Sequence, residues 1–106
     1  MTTGSITDLT LTAVQYEALD GGVAANVDEH IRLIEDAESH GARLVIFPEL
    51  SLTGYRLDLL ERPEGWLSAD DGRLDGLRDI CRRTGITAVV GAAFKEEDGT
   101  PRLASL

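Results

Sequence analysis

The tightest constraint on this chain is the run Arg43-Leu44-Val45-Ile46-Phe47, followed at once by Pro48-Glu49. Proline has no backbone N–H, so a sheet ladder built on this mostly apolar run cannot extend past Phe47. A strand that must stop there leaves the carboxylate of Glu49 at its C-terminal end. In open α/β folds ligands gather beyond the carboxyl ends of the strands. Glu49 is therefore a candidate general base, with a solvated loop acid as the plain alternative.

The flanking segments alternate in type. Leu9 to Val14 is rich in β-branched and apolar residues and predicts a first strand. Gly21-Gly22 breaks that pattern. Val23, Val27, Ile31 and Ile34 then recur at helical spacing, which predicts an amphipathic helix from Val23 to Ser39. His40-Gly41 supplies its stop, because Gly41 can take the left-handed conformation. Asp28, Glu29, Glu35, Asp36 and Glu38 mostly fall on the opposite, solvated face. Leu50 to Ala69 has no sustained period and predicts a long loop with a short helix near Leu57 to Glu61. Loops of that length in compact domains usually serve a function. Ser68 or Asp70 can cap a further helix, on which Leu74, Leu77 and Cys81 share a face and which Gly85 ends. Ile86 to Val90 predicts a third, largely buried strand. Asp98-Gly99 turns the chain, and a fourth strand begins at Arg102. Strands alternating with helices predict an α/β fold with a parallel-containing sheet and right-handed crossovers.

The ordered series of a strand ending near Gln15, a helix containing Asn26, Gly41-Ala42, an apolar strand and Phe47-Pro48-Glu49, with Thr53-Gly54-Tyr55 behind it, resembles the opening of carbon–nitrogen hydrolases, the nitrilase/amidase superfamily. Looser similarity runs through Gly85-Ile86, Gly91, Gly99 and Leu103-Ala104-Ser105. The resemblance implies a four-layer αββα sandwich, of which residues 1–106 form an N-terminal segment of a single domain. It implies hydrolysis of an amide or nitrile by a Glu, a Lys and a Cys, with no metal or organic cofactor. Glu49 falls on the position of the Glu, and Tyr55 on the border of the same pocket. As the plain alternative, a loop tyrosine packs its ring on the sheet edge. The Tyr-Arg-Lys-type and Gly-x-x-x-Cys-type segments that carry the other two groups have no counterpart here, and the chain stops at what looks like the start of a strand, as a truncated enzyme would. The implied partners are a small amide or nitrile substrate and either further copies of the chain or a complementary C-terminal segment.

Composition narrows the rest. One domain at most fits 106 residues, of which 42% are apolar. A formal charge of −9 argues against nucleic acid and anionic membrane surfaces as partners. No apolar run reaches the length of a membrane span. Met1 to Thr7 lack the features of a secretory signal and read as a frayed tail. One cysteine makes no internal disulfide, which points to a reducing, cytoplasmic setting.

The remaining chemistry-bearing residues read as structural. Cys81 sits after Ile80 on the apolar helical stripe, where cysteine behaves as a small hydrophobe. Lys95, amid Glu96 and Glu97 before the Asp98-Gly99 turn, reads as a solvated hairpin lysine. His30 and His40 lack metal-ligand spacing and read as surface histidines. Gly21-Gly22 has no phosphate-binding pattern around it, and Trp66 can anchor the long loop. In the mechanism that the resemblance implies, a free thiol titrates near ~8.5 and a neighbouring carboxylate raises that value. A lysine is needed to offset this and to stabilise the oxyanion. Glu49 without those partners is an incomplete catalyst. The rival expectation is a non-catalytic α/β interaction module whose half-sandwich leaves an apolar sheet face open.

Overall fold

The computed structural model describes residues 10–106. Met1 to Thr7 and Leu9, assigned above to a tail and to the start of the first strand, lie outside the described residues. The elements run β1 (Leu11–Ala13), α1 (Gly22–Ser39), β2 (Leu44–Ile46), α2 (Leu57–Leu60), α3 (Asp75–Thr84), β3 (Thr87–Val89), β4 (Gly91–Lys95) and β5 (Pro101–Ser105). This is the mixed α/β arrangement expected from the alternating pattern, with β2 at the centre of a parallel sheet ordered β1-β2-β3.

Register explains which side of the sheet is covered. Thr12, Val45 and Ala88 lie in one row. Successive residues of a strand point to opposite faces, so Leu11, Ala13, Leu44, Ile46 and Val89 share the other face. Val45 is fully buried, in one core with Val23, Val27 and Ile34 of α1 and Leu77 and Ile80 of α3. The opposite face carries no helix among the described elements, and Leu11 (51%) and Ile46 (37%) are exposed on it. Helices α1 and α3 approach closely at Gly76, where a Cβ would lie 2.9 Å from Ile31 Cδ1.

The ends of α1 follow the local rules. Gly41 takes φ +82°, and the N–H groups of Gly41 and Ala42 donate to Glu38 O and Ala37 O, satisfying the last carbonyls. Two expectations need correction. Neither Ser68 nor Asp70 caps α3. Its entry is a 3₁₀ turn, Gly72–Leu74, capped by Asp71, whose carboxylate accepts the Arg73 N–H at 2.9 Å. The helix begins later than Ser68 or Asp70 can reach, and Ser68 Oγ donates to Asp70 instead. The other correction is an additional strand directly after the third, which itself ends at Val89. The chain continues as β4 after changing partners, since Val90 exchanges both backbone hydrogen bonds with Leu106 (3.1 and 2.9 Å). The ladder thus passes from parallel pairing with β2 to antiparallel pairing with β5.

Candidate active site at the carboxyl end of β2

Past Ile46, Phe47 N–H still donates to Val89 O (2.9 Å), and Pro48 then releases the chain. Residues 48–54 fold back in a tight turn, with Ser51 N–H donating to Pro48 O and Gly54 N–H to Leu50 O at 2.6 Å. Leu50 takes φ +52°, the one positive φ at a described non-glycine residue, and is nevertheless buried. A left-handed leucine costs about 1–2 kcal/mol, and such strain persists only where the surroundings over-determine it. Its effect is local. Leu50 is buried at the base of the cleft while the preceding Glu49 is exposed.

Glu49 faces a cleft of about 390 Å³. Tyr16, Glu17 and Asp20 line it from the segment after β1, and Tyr55 and Arg56 from the segment after β2. The cleft lies at the carboxyl ends of parallel strands, where open α/β folds bind ligands. Tyr55 Oη donates to Glu49 Oε2 at 3.2 Å. Some burial, then this hydrogen bond and the adjacent negative charge, raise the Tyr55 phenol above its usual range. Tyr55 is 71% exposed, so it borders the cleft and is not packed down on the sheet edge. Arg56 joins the two walls through ion pairs with Asp20 on one side and Asp58 on the other (2.8 Å).

Beneath the cleft runs a buried polar chain. Asn26 is fully buried on α1. Its Oδ1 accepts from Tyr16 Oη and from Leu19 N–H at 2.7 Å. Its Nδ2 donates to Leu19 O (3.0 Å) and Gly22 O (2.8 Å). One turn on, His30 overturns the expectation of a surface histidine: it is 0% exposed. The reason is geometric, since positions 23, 26, 27, 30 and 34 form one stripe and the whole stripe faces the sheet. Its ring stacks on Phe47 at 4.0 Å and meets Tyr16 edge-on at 4.8 Å. Burial, opposed by the Asn26 carbonyl and by Glu29, pushes its pKa down from 6.5 to about 4, so the imidazole is neutral at pH 7.

The tautomer follows from the partners. His30 Nδ1 lies 2.6 Å from Asn26 O, a carbonyl that only accepts, so Nδ1 carries the proton. Nε2 then accepts from Ser51 Oγ at 2.8 Å, and Ser51 Oγ in turn accepts from Gly91 N–H at 3.1 Å. A serine beside a histidine suggests a nucleophile pair. Ser51 borders the floor of the cleft but is only 2% exposed, and its hydroxyl is held by His30 Nε2 on one side and Gly91 N–H on the other, which makes it a structural link. Gly91 is required where it stands. A Cβ there would fall 2.3 Å from Leu50 N and 2.5 Å from Pro48 O.

The other residues weighed in the sequence lie elsewhere. Cys81 is half-buried and lines an apolar groove of about 580 Å³ with Leu74, Leu77, Ile86 and Val90. Burial raises its thiol pKa, the opposite of an activated nucleophile. Lys95, the one lysine in the chain, is exposed and sits over the Trp66 ring at 5.3 Å. Trp66 donates its indole N–H to Leu60 O at 2.8 Å and so ties the long loop to α2. His40 is exposed at the end of α1. Among the described residues no three His, Cys, Asp or Glu side chains cluster as a metal ion would need, and no helix is long and apolar enough to cross a membrane.

The sequence and the fold are shared with known proteins. The pattern that defines the carbon-nitrogen hydrolase family matches residues 10–105, and this chain belongs to that family. It is 42% identical over 85 residues to the glutamine-dependent NAD(+) synthetase of Xylella fastidiosa strain Temecula1, covering 78% of this chain and 15% of that protein. It is 35% identical over 81 residues to a nitrilase of Pyrococcus abyssi strain GE5, covering 69% of this chain and 29% of that protein. The fold matches a solved glutamine-dependent NAD+ synthetase from Acinetobacter baumannii, in complex with adenosine diphosphate, with a TM-score of 0.64 and 26% identity. That match covers 91% of this chain and 18% of the other. The chain thus spans less than a third of the length of these relatives.

Proposed function

We propose that Glu49 is the general base of a carbon–nitrogen hydrolase whose parent reaction is hydrolysis of an amide through a cysteine thioester. The observation that carries this reading is the outward carboxylate at the end of β2, held beside Tyr55 in a strand-end cleft. Glu49 would accept the thiol proton as sulfur attacks the amide carbon, and return it to the departing nitrogen, giving ammonia or an amine. It would then accept a proton from the water that opens the thioester and releases the acid. Relatives named for glutamine dependence favour a primary carboxamide over a nitrile as substrate. The single cysteine fits a reducing, cytoplasmic setting.

Neither Cys81 nor Lys95 lines the Glu49 cleft, so the 106 residues alone are proposed to be inactive, as an N-terminal, truncated part of an amidase. The open sheet face bearing Leu11 and Ile46 supports two further points. It would accept the second sheet of an αββα sandwich, supplied by a complementary segment. It also keeps alive a second reading, a non-catalytic module that uses this face to bind a partner or another copy. The deciding experiment is to read the source gene beyond codon 106 and assay the whole product for ammonia release. Turnover that falls about 100-fold or more in Glu49→Gln is expected. Robust turnover by the 106-residue chain alone, or full activity in Glu49→Gln, would overturn the proposal.

A further inference from the structure

We propose that His30 is a positioning residue for Glu49: through Ser51 it clamps the 48–54 turn against Gly91 and so aims the carboxylate into the cleft. The inference rests on the reading of Glu49 as the base, and three observations carry it.

First, the hydrogen bonds have only one consistent direction. The Asn26 carbonyl forces the proton onto Nδ1, which leaves Nε2 as an acceptor for the Ser51 hydroxyl. That hydroxyl is then free to accept from Gly91 N–H. A fixed element, α1, is thereby linked through the turn to a fixed strand, β4. Second, the link lies at the strained point. Ser51 follows Leu50, whose φ of +52° would relax toward negative values if the turn were free. Third, the turn presses on β4 from both sides of Ser51. The Leu52 N–H donates to Gly91 O at 3.0 Å, and Gly91 leaves no room even for a methyl group beneath Pro48 and Leu50. The His30 ring touches the helix backbone through Nδ1 and this turn through Nε2, and its stacking on Phe47 fixes the plane of that ring. His30 touches no substrate in this scheme. It acts through Ser51.

The test uses the isotope-labelled 106-residue chain and compares His30→Phe with His30→Gln. Phenylalanine keeps the stack on Phe47 and loses the acceptor, whereas glutamine retains an acceptor for Ser51. In His30→Phe, amide exchange at Leu52 and Gly91 should accelerate at least about tenfold relative to Ile80 in α3. The Tyr55 phenol should titrate as it does in Glu49→Gln, having lost the carboxylate. His30→Gln should restore both signals toward the parent chain. Ile34→Val, a core substitution one turn along α1, serves as the reference for a general loss of stability. Unchanged protection at Leu52 and Gly91 in His30→Phe overturns the proposal. So does acceleration spread evenly over α3 and the turn, as in Ile34→Val. If His30→Phe does not fold, Ser51→Ala cuts the same link from the turn side and is read by the same amides. The readout needs no turnover, so its failure removes His30 and leaves Glu49 standing. A failed ammonia-release test removes Glu49 as base and leaves the clamp.

Discussion

Helix α1 buries one continuous stripe, yet its two halves do so with different chemistry. The first half places Val23, Asn26, Val27 and His30 inside, and the second places Ile34 and Ala37. Apolar side chains fix how far apart two layers sit but are tolerant of direction, because dispersion and water exclusion are weakly angular. Hydrogen bonds are steeply angular. Asn26 and His30 lie under the segments that form the cleft, where the aim of an acid matters, and Ile34 lies where only thickness matters. The helix therefore holds the site by direction and the rest of the sheet by volume.

The strongest way to break this comparison is Asn26→Ala. It strips partners from the Tyr16 hydroxyl and from both backbone groups of Leu19. A buried group left unsatisfied costs about 1–3 kcal/mol. Leu19 is exposed and Tyr16 half-buried, so water offsets part of this and a loss of about 3 kcal/mol is expected in urea unfolding. A loss below about 1 kcal/mol would show that the segment after β1 is held by something other than Asn26.

Next in size is a dependence on pH. The folded-state pKa of His30 is depressed from 6.5 to about 4. Above pH 6.5 neither state binds the proton and the contribution is complete. Between 6.5 and 4 only the unfolded chain takes it up, so stability falls as pH falls, and below 4 there is no further loss from this group. The whole effect is on the order of 3 kcal/mol. It should appear as a difference in urea midpoints between pH 7 and pH 4 that His30→Gln reduces. Equal pH slopes in the two chains would show that folding does not shift the His30 pKa.

The smallest effect sharpens the other side of the comparison. Ile34→Val should cost about 1 kcal/mol through a lost methylene and leave the pH slope of the parent chain intact. A changed slope would mean that the two halves of α1 are not independent.

The difference between the halves also explains what could be read in advance. Pro48 acts on its own residue, so the end of β2 and the position of Glu49 were legible in the sequence. The apolar period of α1 gave Val23, Val27 and Ile34, and the same period places 26 and 30 between them. Residue type suggested a surface histidine at 30, and spacing, had it been weighed above type, pointed inward. The partners were not legible at all. Ser51 lies 21 residues from His30 and Gly91 lies 40 from Ser51, and no local pattern records a contact at that range. The cap at Asp71 was missed for a smaller reason, a 3₁₀ turn that moves the start of α3 toward the C-terminus.

The contact between Ser51 and Gly91 also has a consequence in time. The turn that bears Glu49 can form as soon as β2 meets α1, since its own hydrogen bonds span only a few residues. Its aim must wait until a loop of forty residues has closed, and closing such a loop is costly in chain entropy before the contact returns anything. The acid is therefore among the first polar groups delivered to the growing fold and among the last to be given a direction.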